Sequence, residues 1–93
     1  MPTSSERQLT LLRCVADETR FEILLTLREG NLCVCDIVRA LKMEQSLISH
    51  HLQSLRKCGL VTSAREGRKI KYKLAGPHIV ELLEKVEEVS NKL

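Results

Sequence analysis

Apolar positions along the chain follow two different periods, and the change from one to the other divides the sequence. Leu9, Leu12, Val15 and Ala16 fit one face of a short first helix, roughly residues 6–16. Asp17 suits the N-cap of a second helix running to about Glu29, with Phe21, Ile23, Leu24 and Leu27 as its buried stripe and Gly30-Asn31 as its stop. Val34, Ile37, Val38 and Leu41 stand at i, i+3, i+4 and i+7, a short third helix that starts between Cys33 and Cys35. Lys42-Met43-Glu44 is a tight turn, and a fourth helix follows over Gln45–Lys57 and stops at Gly59.

After Gly59 the period falls to two. Residues 61–65 and 69–74 read as strands, with Glu66-Gly67-Arg68 as the hairpin turn between them. In the second strand Ile70, Tyr72 and Leu74 face one way and Lys69, Lys71 and Lys73 the other. Gly76-Pro77 breaks the pattern, and Ile79, Leu82, Leu83, Val86 and Leu93 mark an amphipathic last helix. The predicted fold is mostly α with a small β-hairpin: four helices, two strands and a fifth helix, a winged helix-turn-helix over residues 1–93 as one domain.

Composition narrows the partners. Phe21 and Tyr72 are the only aromatics, too few to stack the bases of a single strand. No apolar run reaches the roughly 20 residues of a membrane span, so no membrane partner is expected. Met1-Pro2-Thr3-Ser4-Ser5 lacks the basic-then-apolar pattern of an export signal, which points to a cytoplasmic protein. In that setting Cys14, Cys33, Cys35 and Cys58 read as thiols rather than disulfides.

The net charge of +3 is ordinary, but its distribution is not. Residues 1–41 hold 5 basic and 6 acidic side chains, residues 42–73 hold 8 and 2, and residues 74–93 hold 2 and 4. All of the positive excess lies in the fourth helix and the hairpin, where a phosphate-binding surface would sit.

The fourth helix divides into two stripes. Ile48, Leu52 and Leu55 should face the core. Ser46, Ser49, His50, Gln53 and Lys57 should face outward, with Gln45 at the start. A solvated face is usually rich in Glu and Lys; this one offers hydroxyl, imidazole and amide groups that match base edges in a major groove, and it carries no acid. Arg56 and Lys57 could meet flanking phosphates, and Arg65, Arg68, Lys69 and Lys71 of the hairpin could reach phosphates or the minor groove. His51 borders the apolar stripe and is expected to pack inward, and His78 reads as structural.

These pieces together resemble the ArsR/SmtB family of repressors over nearly the whole chain. The resemblance rests on Ala16-Asp17-Glu18-Thr19-Arg20-Phe21-Glu22-Ile23-Leu24, Leu32-Cys33-Val34-Cys35-Asp36-Ile37, Ser49-His50-His51-Leu52-Gln53-Ser54-Leu55 and Gly59-Leu60-Val61. The wing from Arg65 to Leu74 matches as well. The resemblance implies a homodimer joined through the first and last helices, bound to a palindromic operator in double-stranded DNA and released by an inducer. Cys33-Val34-Cys35-Asp36 resembles the family's thiolate box for As(III), Sb(III) or a soft divalent metal, a sensible pairing of soft ligands with soft ions. No cofactor is otherwise required.

The box departs from the family's arsenic-type pattern. Val38 stands where a third cysteine is expected, so a third donor must come from Cys14, Cys58 or an external thiol. An i, i+2 pair also straddles a helix, so joint binding by Cys33 and Cys35 should strain or loosen the first turn. A disulfide or persulfide switch, or a regulator in which both cysteines are merely buried, are the other readings of the pair. Of the family's zinc site on the last helix only His78 is present; Gly76, Val89 and Lys92 occupy the other three positions.

Two further classes stand beside the DNA-binding regulator. A winged-helix protein-interaction module fits the fold but not the basic wing or the acid-free reading helix. An enzyme is disfavoured: the chain shows no nucleophile-base-acid set, phosphate loop or catalytic metal motif, and Cys-x-Cys is not the Cys-x-x-Cys redox spacing.

Overall fold

A computed structural model describes residues 2–93. Helix α1 spans Ser4–Val15, two residues earlier than periodicity alone predicts. The reason is a capping box: the Glu6 N–H donates to Thr3 Oγ1 at 3.1 Å, and the Thr3 N–H donates to Glu6 Oε2 at 3.2 Å. Helix α2 spans Glu18–Leu27 with Asp17 as its N-cap, whose Oδ2 accepts from the Arg20 N–H at 3.0 Å.

A short strand β1, Leu32–Cys33, precedes α3, Val34–Leu41. Lys42 ends α3 in the left-handed region, with φ 56°. Helix α4 is Gln45–Lys57. Past it, the Leu60 N–H reaches back to the Leu55 carbonyl at 3.0 Å, with Gly59 at φ +79° supplying the left-handed step that bond needs.

Strands β2, Val61–Glu66, and β3, Lys69–Leu74, pair antiparallel from Val61↔Leu74 to Glu66↔Lys69. The loop between them is therefore Gly67-Arg68 alone, with Gly67 at φ 65°; the three-residue turn expected from sequence is shortened because Glu66 belongs to the ladder. The hairpin is also not the whole sheet. β1 pairs with the other edge of β3, Leu32↔Tyr72 and Cys33↔Lys71, giving the order β1-β3-β2. Two residues are too few to show a period of two, so β1 is invisible to pattern reading.

Helix α5, Pro77–Asn91, starts with Pro at its first turn, where the missing N–H costs nothing. The core lies between α2, α3, α4 and the base of the sheet. Ile23, Leu24, Ile37, Ile48, Leu52 and Leu55 are wholly removed from water there, and Tyr72 closes the sheet side. The outer helices are less complete. Leu9 and Leu12 of α1, and Val86, Val89 and Leu93 at and beyond the end of α5, stay exposed. No helix among the described residues is long and apolar enough to cross a membrane.

Candidate nucleic-acid interface and thiol site

Helix α4 is amphipathic in the sense its sequence predicts. Its apolar stripe is buried, while Gln45, Ser46, His50, Gln53, Arg56 and Lys57 are exposed and Ser49 is half-buried. Arg56 is held at the edge of the sheet, where Nη1 donates to Ser63 Oγ at 3.4 Å. That contact orients a cation between the helix and the wing. Glu44, the N-cap of α4, makes no side-chain capping bond, so the first N–H groups of the helix stay free beside the exposed side chains of Gln45 and Ser46.

His51 turns inward. Its side chain is 12% exposed, and its Nδ1 lies 3.9 Å from Asp17 Oδ2 with no hydrogen-bond partner. Asp17 therefore faces two helices at once. Its carboxyl is held below the usual range first by the Arg20 N–H and then by the nearby Arg20 and His51.

The wing cations do not form a uniform set. Arg65, Arg68 and Lys69 are exposed, while Lys71 is half-buried. Lys71 sits opposite Cys33 in the sheet, and Lys69 Nζ lies 4.0 Å from Cys35 Sγ. Two of the four wing cations named from sequence thus adjoin the cysteine box.

The box itself differs from the sequence expectation in two respects. First, Cys33 is not inside the helix. It is the N-cap of α3, extended at φ −81° and ψ 168°, and Cys35 lies in the first turn. Second, the two sulfurs are joined as a disulfide, not held apart as thiols, with the Cα atoms 5.3 Å apart. The first difference is what lets the two sulfurs meet. The straddling argument assumes helical geometry at both residues, whereas an extended N-cap swings its side chain back over the first turn.

Asp36 completes the cluster. Its N–H donates to Cys33 Sγ at 3.4 Å, and its Oδ2 accepts from the Cys33 N–H at 3.1 Å, a capping box with sulfur in the place of a hydroxyl. Oδ1 accepts from Arg39 Nη2 at 2.8 Å. The Cys33 N–H, then Arg39, hold the Asp36 carboxyl below its ordinary range, so it stays an anion. The ligand atoms of Cys33, Cys35 and Asp36 all lie within 4.8 Å of one another. Two sulfurs and a carboxylate at that separation fit a small thiophilic ion once the sulfurs are reduced. The sequence names Asp36 only as the last residue of the Cys33-Val34-Cys35-Asp36 box, and its place beside both sulfurs comes from the capping box.

Cys14 and Cys58 do not join this cluster among the described residues of the chain. Both are free thiols, Cys14 buried and Cys58 exposed, and they neighbour one another between the end of α1 and the end of α4.

Comparison with known proteins agrees with this geometry. Residues 17–63, from the N-cap of α2 into β2, match the family model for bacterial regulatory proteins of the arsR family. The chain is 46% identical over 72 residues to the arsenical resistance operon repressor of Escherichia coli K12, covering 76% of this chain and 61% of that protein. It is 42% identical over 73 residues to the transcriptional repressor SmtB of Mycobacterium tuberculosis, covering 78% of this chain and 54% of that one. The chain thus spans between half and two thirds of the length of these relatives. Among solved structures, the homodimeric winged helix-turn-helix DNA-binding domain of a possible ArsR-family regulator from Mycobacterium bovis superposes with a TM-score of 0.88 at 30% identity, over 95% of this chain and 82% of that one.

The fold is that of a winged helix-turn-helix domain. The chain belongs to the arsR family of bacterial regulatory proteins.

Proposed function

We propose that this chain is a transcriptional repressor that binds a palindromic operator in double-stranded DNA as a homodimer and is released when a trivalent metalloid such as As(III) binds at Cys33 and Cys35. The observation that carries the reading is the clustering of two sulfurs and the Asp36 carboxylate within 4.8 Å where β1, which pairs with β3 of the wing, runs into α3. The arsenical-resistance relative supports the choice of inducer. Asp36, in place of the third cysteine, is the third donor we assign. The protein acts in the cytoplasm, where its DNA is.

In this reading Ser46, Ser49, His50 and Gln53 contact base edges, and Gln45, Arg56, Lys57, Arg65, Arg68, Lys69 and Lys71 contact phosphates or position the wing. The exposed apolar side chains of α1 and α5 pair the two copies, which sets two α4 helices about one turn of DNA apart. Cys33 and Cys35 would supply thiolates, the soft donors suited to the metalloid, and Asp36 a harder carboxylate oxygen beside them. With the pair reduced, an ion between the two sulfurs would hold them further apart than the direct bond does and so shift Cys33. Because Cys33 pairs with Lys71 and Lys69 adjoins Cys35, that movement passes directly to the wing. The route through β1 and β3 is shorter than one through α3 and α4.

A second reading has its own observation. The Cys33–Cys35 bond makes oxidation an alternative inducing event at the same pair.

Operator release measured in parallel with arsenite, antimonite, cadmium, zinc and a peroxide, on the wild type and on the Cys33→Ser/Cys35→Ser double variant, separates them. Release by arsenite and antimonite that the double variant lacks supports the metalloid reading. Release by peroxide alone replaces it with the redox one, and equal responses in both proteins remove Cys33 and Cys35 from sensing. Operator affinity that does not fall with rising salt would remove DNA as the partner.

A further inference from the structure

The second pair of thiols has no part in that scheme, and its surroundings are specific. Cys14 lies in the last turn of α1 and is 5% exposed. Its thiol points at the Ser54 carbonyl oxygen of α4, 4.0 Å away. The Cys58 N–H donates to that same oxygen at 3.1 Å. That second bond is the ordinary last turn of α4, so the buried Cys14 thiol lies against the turn that carries Cys58, 44 positions away in sequence, and the two side chains meet there. Arg20 fixes the end of α1 from the other side, with Nε on the Cys14 carbonyl at 2.7 Å and Nη2 on the Arg13 carbonyl at 3.3 Å.

We propose that Cys14 and Cys58 form a thiol-exchange site for a low-molecular-weight disulfide, and that the product is a Cys14–Cys58 disulfide tying the end of α1 to the end of α4. Exposed Cys58 is the entering group. Its thiolate attacks one sulfur of the small disulfide, forming a mixed disulfide and expelling one small thiolate, which takes up a proton. The Cys14 thiolate then attacks the Cys58 sulfur and expels the second small thiolate. Two protein thiols are oxidised, one small disulfide is reduced to two thiols, and the two protons lost by the cysteines end on those thiols.

The setting favours this order. Burial, then the Cys58 thiol, push Cys14 up to about 12, while Arg20 pulls the other way. Cys14 is therefore a poor first nucleophile. Once Cys58 carries a disulfide, its thiol no longer opposes Cys14, and the Arg20 guanidinium then acts against burial alone. The bond would fix the reading helix against α1, a link independent of the Cys33–Cys35 box and of any metalloid.

The test uses the full chain with Cys33→Ser/Cys35→Ser, so that only this pair can react. After incubation with oxidised glutathione and an acid quench, intact mass and peptide mapping are recorded. The expected product has lost two hydrogens, carries no glutathione, and yields a peptide joining Cys14 to Cys58, with two equivalents of reduced glutathione released per chain. Adding Cys14→Ser should arrest the reaction at one glutathionyl group on Cys58, and adding Cys58→Ser should leave Cys14 unmodified. A stable glutathione adduct on Cys58 while Cys14 remains free, a disulfide between two chains, or no reaction in a chain whose helical circular dichroism is intact would each overturn the proposal. Failure of the metalloid reading would leave this result unchanged, since the box is absent from the protein tested.

Discussion

Helices α4 and α5 are both amphipathic, but the chain treats their apolar stripes differently. In α4, Ile48, Leu52 and Leu55 are all 0% exposed. In α5, Ile79 and Leu83 are buried, yet Val86 and Val89 one and two turns on are 39% and 48% exposed. The difference lies in what stands opposite. Helices α2 and α3 and the base of the sheet surround α4, while the outer half of α5 is flanked by α2 across an open cleft lined by Phe21, Leu25 and Val86. α1 repeats the α5 case, with Leu12 54% exposed. Removing a Val or Leu side chain fully from water is worth about 1.5–3 kcal/mol, so five such side chains left open hold substantial stabilisation in reserve for a second copy. One helix is thus completed within the chain, and the other two are left open, to be completed in the proposed dimer by association.

Substitutions can break that comparison, and the largest effect should come from the closed stripe. Leu52→Ala should lower unfolding free energy by about 2–5 kcal/mol, because its surroundings cannot collapse into the space. Urea melts at concentrations where the chain is monomeric would check it. A loss below 1 kcal/mol would mean that α4 is not locked as tightly as its burial indicates.

The open stripe should respond in association instead. Val89→Glu should weaken dimerisation by about 2–3 kcal/mol through lost burial and a desolvated charge, with little change in monomer stability. Sedimentation equilibrium measures it. An unchanged dimer would move the interface off α5.

The outward face of α4 gives a smaller and more selective effect. Gln53→Ala should reduce operator binding by about 1–3 kcal/mol and non-specific DNA binding by much less. Equal losses in a competition assay would assign Gln53 to general contact rather than base readout. Arg68→Ala should lower both affinities and reduce the slope of log affinity against log salt by about one.

The smallest effect tests how α2 is pinned beneath α4. Asp17→Ala should cost about 1 kcal/mol of stability at neutral pH through loss of the cap to Arg20. The Asp17 carboxyl is depressed in the folded state, so its contribution is present above the ordinary carboxylate value of about 4 and is lost as pH falls through the depressed one. The gap in melting temperature between wild type and variant should close on acidification. A gap that persists at pH 2 would assign the effect to helix propensity instead.

Much of the fold was legible because its signals are local. Asp17 marks the start of α2, Gly59 the end of α4, and Pro77 the start of α5, each by a preference acting within one turn. The reading helix was legible residue by residue, since Ile48, Leu52 and Leu55 can share only one face. The cysteine box was legible as a motif but not as a geometry. A separation of two residues puts a pair on different faces of a helix and about 7 Å apart along one face of a strand, and only the switch from extended Cys33 to helical Val34 brings the sulfurs together.

The chain's own pattern of apolar spacing, caps and charge determined the order of its five helices and the hairpin, the basic charge of α4 and the wing, and the placing of a cysteine pair at the start of α3. These follow from interactions within a few residues and need no knowledge of what lies opposite. The tertiary structure alone decided which apolar stripes are filled, that β1 joins the cysteine box to the wing, and that Cys14 meets Cys58 across two helices. Each of those depends on contacts between residues far apart in the chain, whose pairing is set by packing and leaves no period to read.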